Sequence, residues 1–182
     1  FLDWAQAFDS ITHEALEQAM YRFGIPEPFL KAIMALYQDL EFSVTDPTNP
    51  SSQFKQNRGV RQGCPLSPYL FVIVMPVLFN DIHHDDARNM EEHRVPGTDF
   101  DEVRYAGDTI CIAQDAPAMH RLIQAIEAEG FKYGLTLNTD KCEHMPLGTL
   151  IPVCFQYGQP FPITAEVKDL GCSLRSHAEP AK

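Results

Sequence analysis

An α+β domain, built as an antiparallel sheet covered by helices on one face, is predicted here from three observations. Apolar residues recur at helical spacing in several separate stretches, most with their own start and stop signals. Short runs that read as strands alternate with these stretches, bounded by Gly, Pro, Asn and Asp. The chain has 182 residues, 45% of them apolar, and no internal repeat, so a single core in a single domain is expected.

Alternating apolar residues after Asp3 predict a short strand. Thr12 then caps a helix whose Leu16, Ala19, Met20 and Phe23 share a face, ended by Gly24 and Pro26. A second helix, from about Pro28 to Leu40, repeats the pattern with Leu30, Ile33, Tyr37 and Leu40. Strands over Phe42 to Thr45 and Gln53 to Asn57 enclose the turn residues Asp46 to Pro50, a hairpin. The next helix runs from Pro68 to about His83, with Ser67 as its cap, Pro68 at its first position and a kink at Pro76. It is apolar on nearly every face, which predicts burial. Asp85 to Asp99 read as an exposed connection, and Phe100 to Ala106 with Thr109 to Ala113 as a tight hairpin with Gly107 and Asp108 at its tip. Asp115 and Pro117 start a helix carrying Leu122, Ile123, Ile126 and Glu129, closed by Gly130 or Gly134; short strands and turns complete the chain.

Composition limits what such a domain does. The longest apolar run, Tyr69 to Phe79, is interrupted by Pro76 and too short to cross a bilayer, and no signal peptide precedes Phe1. The expectation is a soluble protein of the nucleus or cytoplasm, not a secreted one. Five scattered cysteines without a C-x-x-C pair exclude a zinc or redox motif. A net charge of −11 opposes a strong grip on nucleic acid by this chain alone, because affinity for phosphates comes mainly from Lys and Arg displacing counterions.

The most informative stretch is Arg58 to Phe71, RGVRQGCPLSPYLF, in which a glycine-bounded polar turn joins the buried helix. Gly59 and Gly63 flank Arg61 and Gln62, so the backbone can approach a ligand while a guanidinium and an amide point at it. Upstream stands FLDWAQAFD, Phe1 to Asp9, and downstream Tyr105-Ala106-Gly107-Asp108-Thr109. In this order and spacing the segments resemble the palm of reverse transcriptases, of the kind found in non-LTR retrotransposons and group II introns. Gly134 to Cys142 and, more weakly, Val167 to Gly171 extend the resemblance over nearly the whole chain. It implies a right-hand polymerase palm and, since the chain starts with Phe inside the first motif, one partial domain over 1–182, without fingers and most of the thumb.

The resemblance implies RNA-directed DNA synthesis with an RNA template, a DNA primer and dNTP as partners, and with Mg²⁺ (or Mn²⁺) as cofactor. Nucleotide transfer of this kind uses two dications about 3.5–4 Å apart, held by hard carboxylate oxygens. It makes Asp3 and Asp108 the catalytic, metal-binding pair. One position departs from the family, which carries two adjacent aspartates where this sequence reads Gly107 and Asp108. A glycine supplies no ligand and disturbs no hairpin, so the expectation is an intact fold with weakened metal binding and no efficient catalysis.

The other candidates have structural rivals. Phe8 is a core aromatic by its periodicity and a sugar-contacting residue by the resemblance. Arg61, Gln62 and Gly63 either tie the turn to neighbouring backbone or contact the nucleotide. Lys141 is a solvated lysine or the donor of a proton to pyrophosphate. His83, His84, Asp85 and Asp86 read as a solvated helix end, not a metal cluster. Trp4 and Tyr105 fit sheet packing as well as base stacking. The alternative to a palm inactivated at Gly107 is a non-catalytic nucleic-acid or protein interaction module, or a relic, derived from a decayed polymerase.

Overall fold

A computed structural model describes residues 1–38, 40–46, 49–84, 95–98, 102–105, 107–148, 151–169 and 172–176. The elements are α1 (Ala7–Ser10), α2 (His13–Phe23), α3 (Glu27–Ala35), β1 (Glu41–Asp46), β2 (Asn49–Lys55), α4 (Ser67–His83), β3 (Glu102–Tyr105), β4 (Asp108–Cys111), α5 (Ala116–Lys132), β5 (Glu166–Asp169) and β6 (Cys172–Arg175). The content is α+β, but the single expected sheet is divided. It consists of three antiparallel two-stranded units, β1–β2, β3–β4 and β5–β6, of which β3–β4 is joined to the start of the chain by an isolated bridge between Leu2 and Thr109.

Local chemistry explains the helix ends. The Thr12 hydroxyl accepts from the N–H of Ala15 at 3.2 Å and opens α2, and Gly24, at φ 92°, closes it in the left-handed region that glycine enters without cost. The Asp115 carboxylate accepts from the N–H of Ala118 at 2.7 Å and opens α5. That helix passes through Gly130 and ends at Lys132, with Gly134, at φ 82°, turning the chain just beyond its cap Tyr133. A Cβ on Gly130 would stand 2.7 Å from the Trp4 ring, so this glycine lets α5 close over the indole.

Several expectations are corrected. Ser67 is the first residue of α4 rather than its cap; its hydroxyl donates to the carbonyl of Arg61 at 2.6 Å and pins the polar turn to the helix. Phe23 is exposed, whereas Leu16, Ala19 and Met20 are buried, because the apolar face of α2 runs out at its last turn. The second helix stops at Ala35, although Tyr37 and Leu40 still reach the core. Asp108 is not at the hairpin tip but pairs with Tyr105 as the first residue of β4. The connection predicted over Asp85 to Asp99 lies outside the described residues except for 95–98.

Burial follows the pattern of α4, whose Leu70, Phe71, Val74, Leu78, Phe79 and Ile82 are almost wholly inaccessible. Around it gather α2 and α5, together with Leu2 and Trp4 of the extended segment 1–5. A network of side chains ties the three helices on their polar side. Arg22 of α2 donates to Asp81 of α4, and the Tyr133 hydroxyl after α5 donates to the same carboxylate at 2.9 Å. The Arg22 guanidinium holds the Asp81 carboxyl below its usual range, and the Tyr133 hydroxyl adds to that effect against the cost of burial.

Candidate active site

Segment 1–5 runs between β4 and residues 136–143, and this position gives the site its geometry. On one side, Leu2 and Thr109 exchange backbone bonds of 2.8 and 3.1 Å as an antiparallel pair. On the other, the Asp3 carbonyl accepts from Asn138 at 2.8 Å, the Phe1 carbonyl accepts from Glu143 at 2.9 Å, and Trp4 bridges Leu137. Alternation then divides the side chains: Leu2, Trp4 and Thr109 point into the core and are buried, while Asp3 and Asp108 face away from it. In an antiparallel pair centred on Leu2 and Thr109, Asp3 stands opposite Asp108 on the same face.

Both aspartates line one cleft of about 190 Å³, with Lys141 and Glu143 on its wall. Lys141 Nζ lies 3.9 Å from Asp3 Oδ2; the lysine is 69% exposed and the aspartate 30%. Behind Asp3 the buried Cys142 thiol contacts its backbone, with the Asp3 N–H 3.4 Å from Sγ. Burial pushes that thiol up from its ordinary value, so it stays neutral. Glu143 was not predicted from the sequence. Its signal is a backbone pairing with Phe1, which no local pattern encodes.

The donor set suits a hard dication, since Asp3, Asp108 and Glu143 offer only carboxylate oxygens. Among the described residues, however, no group of three or more His, Cys, Asp or Glu is arranged to hold a metal. Gly107, adjacent to Asp108, has nothing within 4 Å of where a Cβ would stand.

Phe8, Arg61, Gln62 and Gly63 are not among the residues that line the cleft. They group on α1 and the polar turn. Phe8 stacks on Phe71 with ring centroids 4.8 Å apart and an interplanar angle of 14°. Gln62 Nε2 donates to both oxygens of Asp9 at 2.9 Å, a partner the sequence reading did not name. Gly63, at φ 78°, has open space around it, whereas a Cβ on Gly59, at φ 85°, would fall 2.7 Å from the Asp9 Cα. The close approach that Gly59 permits is therefore to the protein's own backbone, not to a ligand.

Trp4 is buried against α5, and Tyr105 is exposed. His83 Nε2 lies 2.9 Å from Glu102 Oε2, and His84 Nδ1 lies 3.0 Å from the carbonyl of Asn80. Asp85 and Asp86 lie outside the described residues.

Known proteins define the class to which this arrangement belongs. The sequence pattern described as reverse transcriptase (RNA-dependent DNA polymerase) matches residues 1–174, and the chain belongs to that family. It is 28% identical over 141 residues to the retrovirus-related Pol polyprotein from the type-2 retrotransposable element R2DM of Drosophila melanogaster, covering 78% of this chain and 13% of that protein. Over 174 residues it is 26% identical to the corresponding polyprotein from the type-1 element R2 of Nasonia vitripennis, covering 93% of this chain and 16% of that one. The RNA-directed DNA polymerase from the mobile element jockey of Drosophila funebris is 26% identical over 155 residues, 85% of this chain and 16% of the relative. The chain thus spans less than a fifth of the length of these relatives. No helix among the described residues is long and apolar enough to cross a membrane.

Proposed function

We propose that this chain is the palm portion of an RNA-directed DNA polymerase of retrotransposon type, catalytically silent because Gly107 stands where a metal-binding carboxylate belongs. The observation that carries the reading is the pairing of segment 1–5 with β4, which sets Asp3 and Asp108 on one wall of one cleft beside an empty position at Gly107. In this reading Asp3 and Asp108 hold Mg²⁺ or Mn²⁺, and Phe8, Arg61, Gln62 and Gly63 face the nucleotide. A dication bound there stabilises the charge that develops on transferring phosphate. Gly107 contributes no carboxylate, so the residues present would offer less negative charge to offset the mutual repulsion of two dications.

Lys141 brings a positive charge to the same wall and is the candidate donor of a proton to departing pyrophosphate. The partners that follow are an RNA template, a DNA primer and dNTP, and the compartment is the nucleus or cytoplasm. Fingers and most of the thumb belong to other parts of a longer polypeptide, in keeping with the small share of each relative that the chain spans.

A Mn²⁺ titration followed by electron paramagnetic resonance tests the site. Asp3→Asn abolishes binding if the assignment is right, and unchanged binding removes it. Primer extension tests the silence: with fingers and thumb restored, Gly107→Asp gives metal-dependent synthesis and the unaltered sequence gives none. Efficient extension by the unaltered sequence refutes the role given to Gly107.

A second reading is a non-catalytic nucleic-acid or protein interaction module, or a relic, on the same scaffold; the charge of −11 repels phosphate and favours its protein-binding or relic form. Failure of Gly107→Asp to restore synthesis would select this reading, and tight, salt-sensitive nucleic-acid binding against that charge would select its nucleic-acid form.

A further inference from the structure

Asp9 was assigned no role by sequence, yet it is the residue that fixes the polar turn's only amide. Gln62 Nε2 lies 2.9 Å from Oδ1 and 2.9 Å from Oδ2 of Asp9. A carboxylate only accepts, so the amide must turn its NH₂ toward Asp9 and its oxygen away. An unpartnered glutamine presents either end of its amide to a ligand; this one is restricted to presenting an acceptor.

The surrounding frame makes the restriction effective. The Gly59 N–H donates to the Ile11 carbonyl and the Val60 N–H to the Phe8 carbonyl, each at 2.6 Å, so the turn is fastened on both sides of Asp9. Absence of a Cβ at Gly59 brings the two backbones together, and the Ser67 hydroxyl holds the far end through the Arg61 carbonyl. Within that frame the side-chain torsions of Gln62 are the freedom left, and the charge-assisted bond to Asp9 removes much of it.

We propose that Asp9 is a positioning residue that orients Gln62, so that the turn reads a hydrogen-bond donor, a hydroxyl or amino group, on a bound deoxynucleotide. The proposal rests on the reading that residues 61–63 face the nucleotide. Asp9 itself does not line the cleft of Asp3 and Asp108, and its charge is directed at the amide.

The test uses the full chain labelled with ¹⁵N, the Gln62 side-chain amide signals being identified by their loss in Gln62→Ala, and dGTP with Mg²⁺ as the titrant. Asp9→Ala moves those signals and weakens dGTP binding about threefold to tenfold, the range expected for one hydrogen bond to a charged group that water contests. Adding Asp9→Ala to Gln62→Ala weakens binding no further, since Asp9 acts only through Gln62.

Gln62 signals unchanged by Asp9→Ala, or losses that multiply in the double variant, overturn the positioning role while dGTP binding by the unaltered chain stands. If the unaltered chain binds no dGTP, or Gln62→Ala binds it equally well, the nucleotide reading of the turn falls and the recognition proposed here falls with it.

Discussion

Gly59 and Gly63 stand four positions apart in one turn and both adopt positive φ, 85° and 78°, yet they predict different costs when replaced by alanine. Each substitution forces a side chain into the left-handed region, at about 1–2 kcal/mol. Each also stiffens the unfolded chain by a similar amount, so these contributions cancel in the difference. At Gly63 nothing lies within 4 Å of the new Cβ. At Gly59 the Cβ meets the Asp9 Cα at 2.7 Å and its carbonyl oxygen at 2.8 Å, backbone atoms that cannot rotate aside. Relief requires the turn to draw back from α1, which stretches the 2.6 Å bonds to the carbonyls of Ile11 and Phe8. At about 1 kcal/mol for each bond, Gly59→Ala should cost about 2 kcal/mol more than Gly63→Ala. Urea denaturation followed by circular dichroism measures both, and an excess of that size is a substantial part of a stability of about 5–15 kcal/mol. Equal midpoints for the two variants would refute the argument that the turn is seated on Asp9.

Three further outcomes are expected. Gly107→Asp should leave the free energy of unfolding within about 0.5 kcal/mol of that of the unaltered chain, since its Cβ meets open space, while Mn²⁺ affinity rises in the same preparation; a destabilised fold would count against the geometry. Because Arg22 holds the Asp81 carboxyl below its ordinary value, the unfolded state takes up that proton first, so the stability from this pair is present above about pH 4 and lost as pH falls through the folded value. Denaturation of the unaltered chain and Asp81→Asn should therefore differ at pH 7 and converge in acid. Asp115→Ala removes the cap on α5 and should cost about 1 kcal/mol in urea unfolding, with Asp115→Ser recovering most of it.

What the sequence made legible was written in short-range chemistry. Thr12, Gly24 and Asp115 sit where cap geometry needs them, and the two predicted hairpins form with tighter turns than expected, since Asp46, Asn49, Pro50 and Asp108 join the strands. The pairing of Asp3 with Asp108 was readable from motif order, but their shared face was not, because Asp108 opens β4 instead of standing at the hairpin tip. Misread positions are those whose chemistry allows two partners. Ser67 could accept from its own helix or donate outward, and the Arg61 carbonyl captured it. Gly59 could free the backbone for a ligand or for another part of the chain, and the distance to Asp9 decides for α1. Glu143 and the Asp9–Gln62 pair were invisible because each depends on contacts between segments far apart in sequence.

The position of segment 1–5 between β4 and residues 136–143 also dictates the order in which this protein can be built. The Asp3 N–H and the Cys142 sulfur that supports it are separated by 139 positions, so Asp3 leaves the ribosome long before its neighbour exists. Helices α2, α4 and α5 have local contacts to form in the meantime, whereas the strand bearing the first aspartate must wait unpaired on one flank. Nascent chains stopped after α5 should therefore be helical and yet unable to shape the cleft, and a chaperone that shields exposed strand edges would find its substrate there.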